Sequence, residues 1–176
     1  DKIKIEKIKN RKDKILFKGP FAKLVNKSNN SILSLFRLIR KLGLISNFYS
    51  VTIVKNIPVF AGLGGGAANV ATILKYLFKR KIRRSLLNQV EDKVGSDLKL
   101  FFYNQGFMKN LGLITNIKKK HKLFFLLIQP SVKCSTKEIY SRVKNYSKKK
   151  RLEERRIKNK SNFISHLSKS RNDLQS

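Results

Sequence analysis

Four glycines fall within the five residues Gly62-Leu63-Gly64-Gly65-Gly66, three of them consecutive. Glycine loses more backbone freedom on folding than any other residue. Such a run weakens a chain unless the backbone must pass where no side chain fits. A tight turn needs one or two glycines, not four. Here the run follows a β-branched segment, Tyr49 to Ile57, closed by Pro58. It precedes an apolar stripe of helical period at Val70, Ile73, Leu74, Leu77 and Phe78, which predicts a helix from Ala67 to about Arg80. Bare N–H groups at the mouth of a helix, where the macrodipole adds about half a positive charge, suit an anion such as a phosphate group.

Two familiar phosphate loops do not fit. Gly62, Gly64 and Ala67 satisfy G-x-G-x-x-A, but a dinucleotide fold also wants an acidic residue about 20 positions on, and Ile82 to Gln89 holds none. A P-loop needs Gly-Lys-Ser/Thr after its glycines, whereas this chain has Gly66-Ala67-Ala68. The loop therefore reads as another kind of phosphate cradle.

The flanking sequence alternates strand and helix signals without a regular βαβ rhythm, which predicts an α+β fold. Ile3 and Ile5 alternate with lysine, and Ile15-Leu16-Phe17 follow a charged turn, giving two strands. Asn30 or Ser31 caps a helix with Ile32, Phe36, Ile39 and Leu42 on one face, ended by Gly43. Ser85 caps a second helix, Leu86 to Val94, ended by Gly95. Phe101-Phe102 and Gly106 to Ile117 read as core and strand. Lys118-Lys119-Lys120 marks a boundary between residues 1–120 and 121–176. Beyond it, Leu123 to Ile128 reads as a buried strand, and Ser135 with Glu138 has capping-box spacing for a helix carrying Ile139, Tyr140 and Val143. Lys148 to Lys160 reads as an exposed charged helix or linker.

The net charge of +31 raises a nucleic-acid reading. The basic residues are 30 Lys and only 11 Arg, however, and the planar two-pronged arginine is what base readout leans on. The lysines are spread along the chain between apolar positions, and Asn and Ile are also abundant, as a lysine-favouring coding bias predicts. With 41% apolar residues in 176, the chain has a globular composition. Its longest apolar run, Leu123 to Ile128, is far too short to cross a membrane. One cysteine precludes an internal disulfide and fits a reducing cytoplasm. Cys134, His121 and His166 are scattered without ligand spacing, so no metal site is assigned. Glu91 and Asp92, adjacent on a helix, read as an exposed face.

The stretch Asn56-Ile57-Pro58-Val59-Phe60-Ala61-Gly62-Leu63-Gly64-Gly65-Gly66-Ala67-Ala68-Asn69-Val70-Ala71 resembles the second motif of the GHMP kinases. Within that superfamily it is most similar to the diphosphocytidyl-methylerythritol kinases, whose pattern runs P-x-x-x-G-L-G-G-G-S-S/A-D/N-A-A. Asn30-Ser31-Ile32, Gly95-Ser96-Asp97 and Arg171-Asn172-Asp173-Leu174 fall in order where that family has Asn-Leu-Val, Gly-Ala-Asp and Asn-Asp-Leu-Glu.

The resemblance implies a GHMP-kinase fold, with a ribosomal protein S5 domain 2-like N-terminal domain over 1–120 lacking its first strands. Residues 121–176 would begin a second, ferredoxin-like α+β domain. It implies transfer of the γ-phosphoryl of ATP, with Mg²⁺, to the 2-hydroxyl of 4-diphosphocytidyl-2-C-methyl-D-erythritol, on the non-mevalonate route to isoprenoid precursors. It makes Pro58, Val59, Phe60, Ala61, Gly62, Leu63, Gly64, Gly65, Gly66, Ala67 and Ala68 the ATP loop, Asp97 the catalytic base, and Thr136 and Tyr140 contacts to the cytidine end. The partner implied is a small molecule, with no specific nucleic acid and no membrane.

Ala67 and Ala68 lack serine hydroxyls: alanine at 68 is a familiar variant of the pattern, whereas Ala67 departs from it, as does Leu98-Lys99 where the family commonly has Val-Pro. From the residues alone, Asp97 could equally cap the following helix, and Tyr140 could equally be core. The family's first motif, with its catalytic lysine, is expected before Asp1 and its third after Ser176, so the isolated chain is expected to be inactive. The rival readings are another kinase of the superfamily and a basic nucleic-acid-binding protein.

Overall fold

The computed structural model describes residues 1–79, 81–110, 113–117, 121–128, 136–144, 146 and 159–173. Two units divide the chain, Asp1–Asn116 and Ile117–Ser176.

The first unit is built on a three-stranded sheet of order β1-β3-β2, from β1 (Lys2–Ile8), β2 (Lys14–Lys18) and β3 (Phe48–Val54). The two N-terminal strands do not pair with each other. β1 runs antiparallel to β3, and β2 runs parallel to it. A parallel pair needs a crossover, and helix α1 (Ser31–Lys41) lies between β2 and β3 in the chain to supply it. The register places Ile3, Ile53 and Phe17 in one row and Ile5, Val51 and Ile15 in the next. Val51 and Ile53 on the central strand are fully buried, and the flanking members pack against the same core. Period-2 alternation, apolar with lysine, thus sets which sheet face is covered.

Helix α1 begins at Asn30, whose side chain accepts from the backbone N–H groups of Ile32 and Leu33 at 3.2 and 3.0 Å. It buries Ile32, Leu35, Phe36 and Ile39, a continuous i, i+3, i+4, i+7 stripe. Leu42 is the C-cap and stands exposed, so the stripe runs through Leu35 instead. The far end of α1 is tied to the sheet by Arg40, which donates to both Asp13 oxygens at 2.7 and 2.8 Å while its guanidinium lies 4.1 Å from the Phe48 ring centroid.

Helix α2 (Gly65–Phe78) buries Val70, Ala71, Ile73 and Leu74. Helix α3 (Arg84–Val94) buries Leu86 and Val90 and has Arg83, not Ser85, as its N-cap. Gly95, with φ 121°, turns the chain into a short 3₁₀ helix, Ser96–Phe102, whose Leu98 is fully buried in the same core. Strands β4 (Gly106–Asn110) and β5 (Leu113–Asn116) form a separate antiparallel pair, irregular between Met108 and Asn110.

The second unit contains α4 (Thr136–Arg142) and α5 (Lys160–Ser168), the latter capped by the Asn159 side chain. The His121 ring stacks on Phe163 at 5.0 Å between centroids. The expected buried strand at Leu123 to Ile128 is corrected: these residues have no regular secondary structure, and Phe124 to Ile128 are 68–87% exposed. A strand needs a neighbour to take its backbone hydrogen bonds, and the described residues of this unit include no strand. Ser135 and the run 148–158 lie outside the described residues.

Candidate functional site

The glycine loop joins the end of β3 to α2. Val59 through Leu63 form turns and bends, and Gly65, Gly66, Ala67 and Ala68 are the first turn of α2. Three loop residues are left-handed: Phe60 (φ 64°), Gly62 (φ 67°) and Gly64 (φ 63°). A bulky aromatic in that region is strained by about 1–3 kcal/mol, and Phe60 is nevertheless exposed. Gly64 is the N-cap of α2 and offers no side chain to satisfy the amides behind it. Ala68 N–H donates to the Gly64 carbonyl at 2.9 Å, closing the first helical bond. The N–H groups of Gly65, Gly66 and Ala67 have no hydrogen-bond partner among the described residues. Three open amides on a helix N-terminus are an arrangement able to hold an anion.

Absent side chains also let neighbouring groups approach. A Cβ at Gly64 would lie 2.8 Å from Phe101 Cζ and 3.6 Å from Asp97 Oδ2. One at Gly65 would lie 3.2 Å from Ile57 Cγ2 and 3.5 Å from Lys55 Nζ, and one at Gly66 would lie 3.2 Å from the Ser31 hydroxyl. The loop is therefore the meeting point of α1, β3, α2 and the 3₁₀ helix. Gly62 faces open space. This contrast gives a prediction. Gly62→Ala should cost about 1–2 kcal/mol for the left-handed backbone alone, and Gly64→Ala measurably more, because Phe101 must also move. Urea denaturation of both variants checks the order.

Asp97 lies in the first turn of the 3₁₀ helix, exposed to solvent, with its carboxylate beside Gly64. Its side chain caps no helix and makes no hydrogen bond or ion pair among the described residues. The structure thus shows no capping hydrogen bond from Asp97 among the described residues, and it brings Asp97 and the loop together.

Two features escape the sequence. Lys55 directly follows β3 ahead of the loop, and its side chain is only 6% exposed. Its ammonium pairs with the Asp1 carboxylate, which also accepts from Asn69 Nδ2 at 2.7 Å and from the backbone N–H groups of Asn56 and Ile57 at 2.8 Å each. Burial pushes the Lys55 ammonium below its ordinary pKa. Lys55 falls inside the β-branched segment that precedes the loop, and no sequence signal sets it apart from the other lysines. The second feature corrects an expectation: Glu91 is not on an exposed face. Its carboxylate is 14% exposed and pairs with Lys99.

In the second unit, Tyr140 lies on α4 and is 52% exposed, so it is not a core residue. Thr136 opens the same helix. Among the described residues, no three His, Cys, Asp or Glu side chains gather as metal ligands, and no helix is long and apolar enough to cross a membrane.

Residues 30–97 match the family model of the GHMP kinases N terminal domain. A protein named 4-diphosphocytidyl-2-C-methyl-D-erythritol kinase from Pelagibacter ubique is 32% identical over 84% of this chain and 54% of its own length. One of the same name from a Sulfurihydrogenibium species is 38% identical over 53% of this chain and 36% of its own. The chain thus spans about half, or less, of the length of these relatives. The crystal structure of homoserine kinase from Cytophaga hutchinsonii superposes with a TM-score of 0.58, covering 82% of this chain and 52% of that one at 16% identity, a likeness of fold.

Proposed function

We propose, from the premise that residues 30–97 are the N-terminal domain of a GHMP kinase, that this chain is the nucleotide-binding part of a kinase acting on 4-diphosphocytidyl-2-C-methyl-D-erythritol. The supporting observation is a single juxtaposition: three open amides at the start of α2, with the unpaired Asp97 carboxylate beside Gly64. On this reading residues 1–120 are the N-terminal domain and 121–176 begin the C-terminal one.

Pro58 to Ala68 would wrap the triphosphate of ATP. The amides of Gly65, Gly66 and Ala67 would donate to its oxygens, with the α2 dipole behind them. Asp97 would orient the 2-hydroxyl of the acceptor and take its proton as that oxygen attacks the γ-phosphorus. The bond from the γ-phosphorus to the β-bridging oxygen breaks, and ADP leaves. Mg²⁺, when bound, neutralises phosphate charge. With alanine at 67 and 68, this chain offers it no hydroxyl there, so the nucleotide's own oxygens and water would hold it, as that ion commonly allows. The exposed Tyr140 ring would stack on the cytosine, and the role of Thr136 there is carried by the resemblance alone. On this reading the acceptor is a small molecule rather than a nucleic acid, and the single cysteine fits a reducing cytoplasm.

The test is a transfer assay with the complete protein. Radiolabelled ATP and 4-diphosphocytidyl-2-C-methyl-D-erythritol are expected to give a labelled monophosphate, while homoserine and mevalonate give none. Label on one of those instead would overturn the acceptor assignment, and label on none would overturn the kinase reading.

A further inference from the structure

We propose that the Glu91–Lys99 ion pair is a positioning device that holds the Asp97 turn against the glycine loop. The inference rests on Asp97 being the catalytic base. Asp97 sits on a hinge-like connection: Gly95, at φ 121°, separates α3 from the 3₁₀ helix and has open space around its Cα. The backbone spans the turn with two bonds, Gly95 N–H to the Glu91 carbonyl at 2.8 Å and Leu98 N–H to the Gly95 carbonyl at 3.2 Å. Neither fixes the direction in which Asp97 projects.

Three side-chain anchors surround it. Leu98, the next residue, is fully buried. Phe101 lies against Gly64, and its carbonyl accepts from Lys75 Nζ on α2 at 2.6 Å. Lys99 reaches back across the turn to Glu91 on the last turn of α3, both side chains about 15% exposed. Among the described residues Glu91 Oε1 is buried with no partner and Lys99 is the cation paired with this carboxylate. Hydrophobic burial at Leu98 sets the depth of the turn but not its rotation. A directed charge pair from one side of Gly95 to the other sets the rotation.

The test is a variant series in the complete protein, read as kcat and as KM for ATP. Lys99→Met should lower kcat about tenfold or more, since a displacement of about an ångström in a reacting group costs up to about 10²-fold, with KM for ATP unchanged. Lys99→Arg should regain most of that loss. Glu91→Asp retains both charges but withdraws the carboxylate by one methylene, and should lower kcat without moving KM even if Lys99→Met folds poorly. The double variant Glu91→Gln/Lys99→Met should be no slower than the worse of the singles Glu91→Gln and Lys99→Met, because the two act as one unit. Unchanged kcat in Glu91→Asp, no recovery in Lys99→Arg, or additive losses in the double variant would overturn the proposal. An Asp97→Asn control separates the premise: if that variant keeps normal turnover, the base assignment has failed, and not the clamp alone.

Discussion

Asp97→Asn in the complete protein is expected to lower turnover by about 10²- to 10⁴-fold, the contribution of a positioned general base, and to leave ATP affinity nearly intact. Asparagine has the same shape and can orient the acceptor hydroxyl, but it cannot take the proton. The amides that would grip the triphosphate belong to Gly65, Gly66 and Ala67 on α2, and none of them is bonded to Asp97. The turn itself is fixed by Leu98, Lys99 and Phe101, so the fold should not change. Single-turnover kinetics with saturating ATP, alongside fluorescent-nucleotide displacement, separates the two quantities. Near-normal turnover would mean that a carboxylate 3.6 Å from the Gly64 Cβ position is there for another reason.

The loop and its helix were legible in the sequence because their signals are local. Four glycines, the preceding β-branched run and the 3.6-residue stripe all lie within about thirty residues, and each reports on its own backbone. Asn30 as a cap was legible for the same reason. What the sequence concealed was long-range charge pairing. Asp1 and Lys55 are 54 residues apart, and nothing in a chain carrying 41 basic residues singles out Lys55, the buried lysine among the described residues. Glu91 looked exposed because its neighbour Asp92 diverges from it on the helix. Its true environment depends on Lys99 folding back across Gly95, which helical periodicity cannot express. The apolar run Phe124 to Ile128 illustrates the opposite failure. Composition there demands burial, but burial needs a partner element, and among the described residues of that unit there is no strand to provide one.

Asp1→Ala is expected to destabilise the first unit by about 3–5 kcal/mol, the usual consequence of leaving one member of a buried ion pair alone. The Asp1 side chain is 2% exposed and accepts four hydrogen bonds, from Lys55 Nζ, Asn69 Nδ2 and two backbone amides at the entrance to the glycine loop. Its removal strands an ammonium that is 6% exposed, together with three further donors. The pH dependence identifies the cause. Burial already holds Lys55 below its ordinary pKa, and losing the carboxylate lowers it further. Between the depressed folded value and the ordinary unfolded one, the unfolded chain binds more protons than the folded chain, so stability rises with pH there. The defect in Asp1→Ala should therefore be largest near neutrality and shrink as the solution becomes alkaline, where Lys55 can fold uncharged. Asp1→Ala/Lys55→Met removes the stranded charge and should recover part of the loss at neutral pH, with a flatter pH profile. Urea denaturation across the alkaline range tests both variants. A pH-independent loss in Asp1→Ala would mean that the amide and Asn69 bonds, rather than Lys55, are what this carboxylate serves beneath the loop.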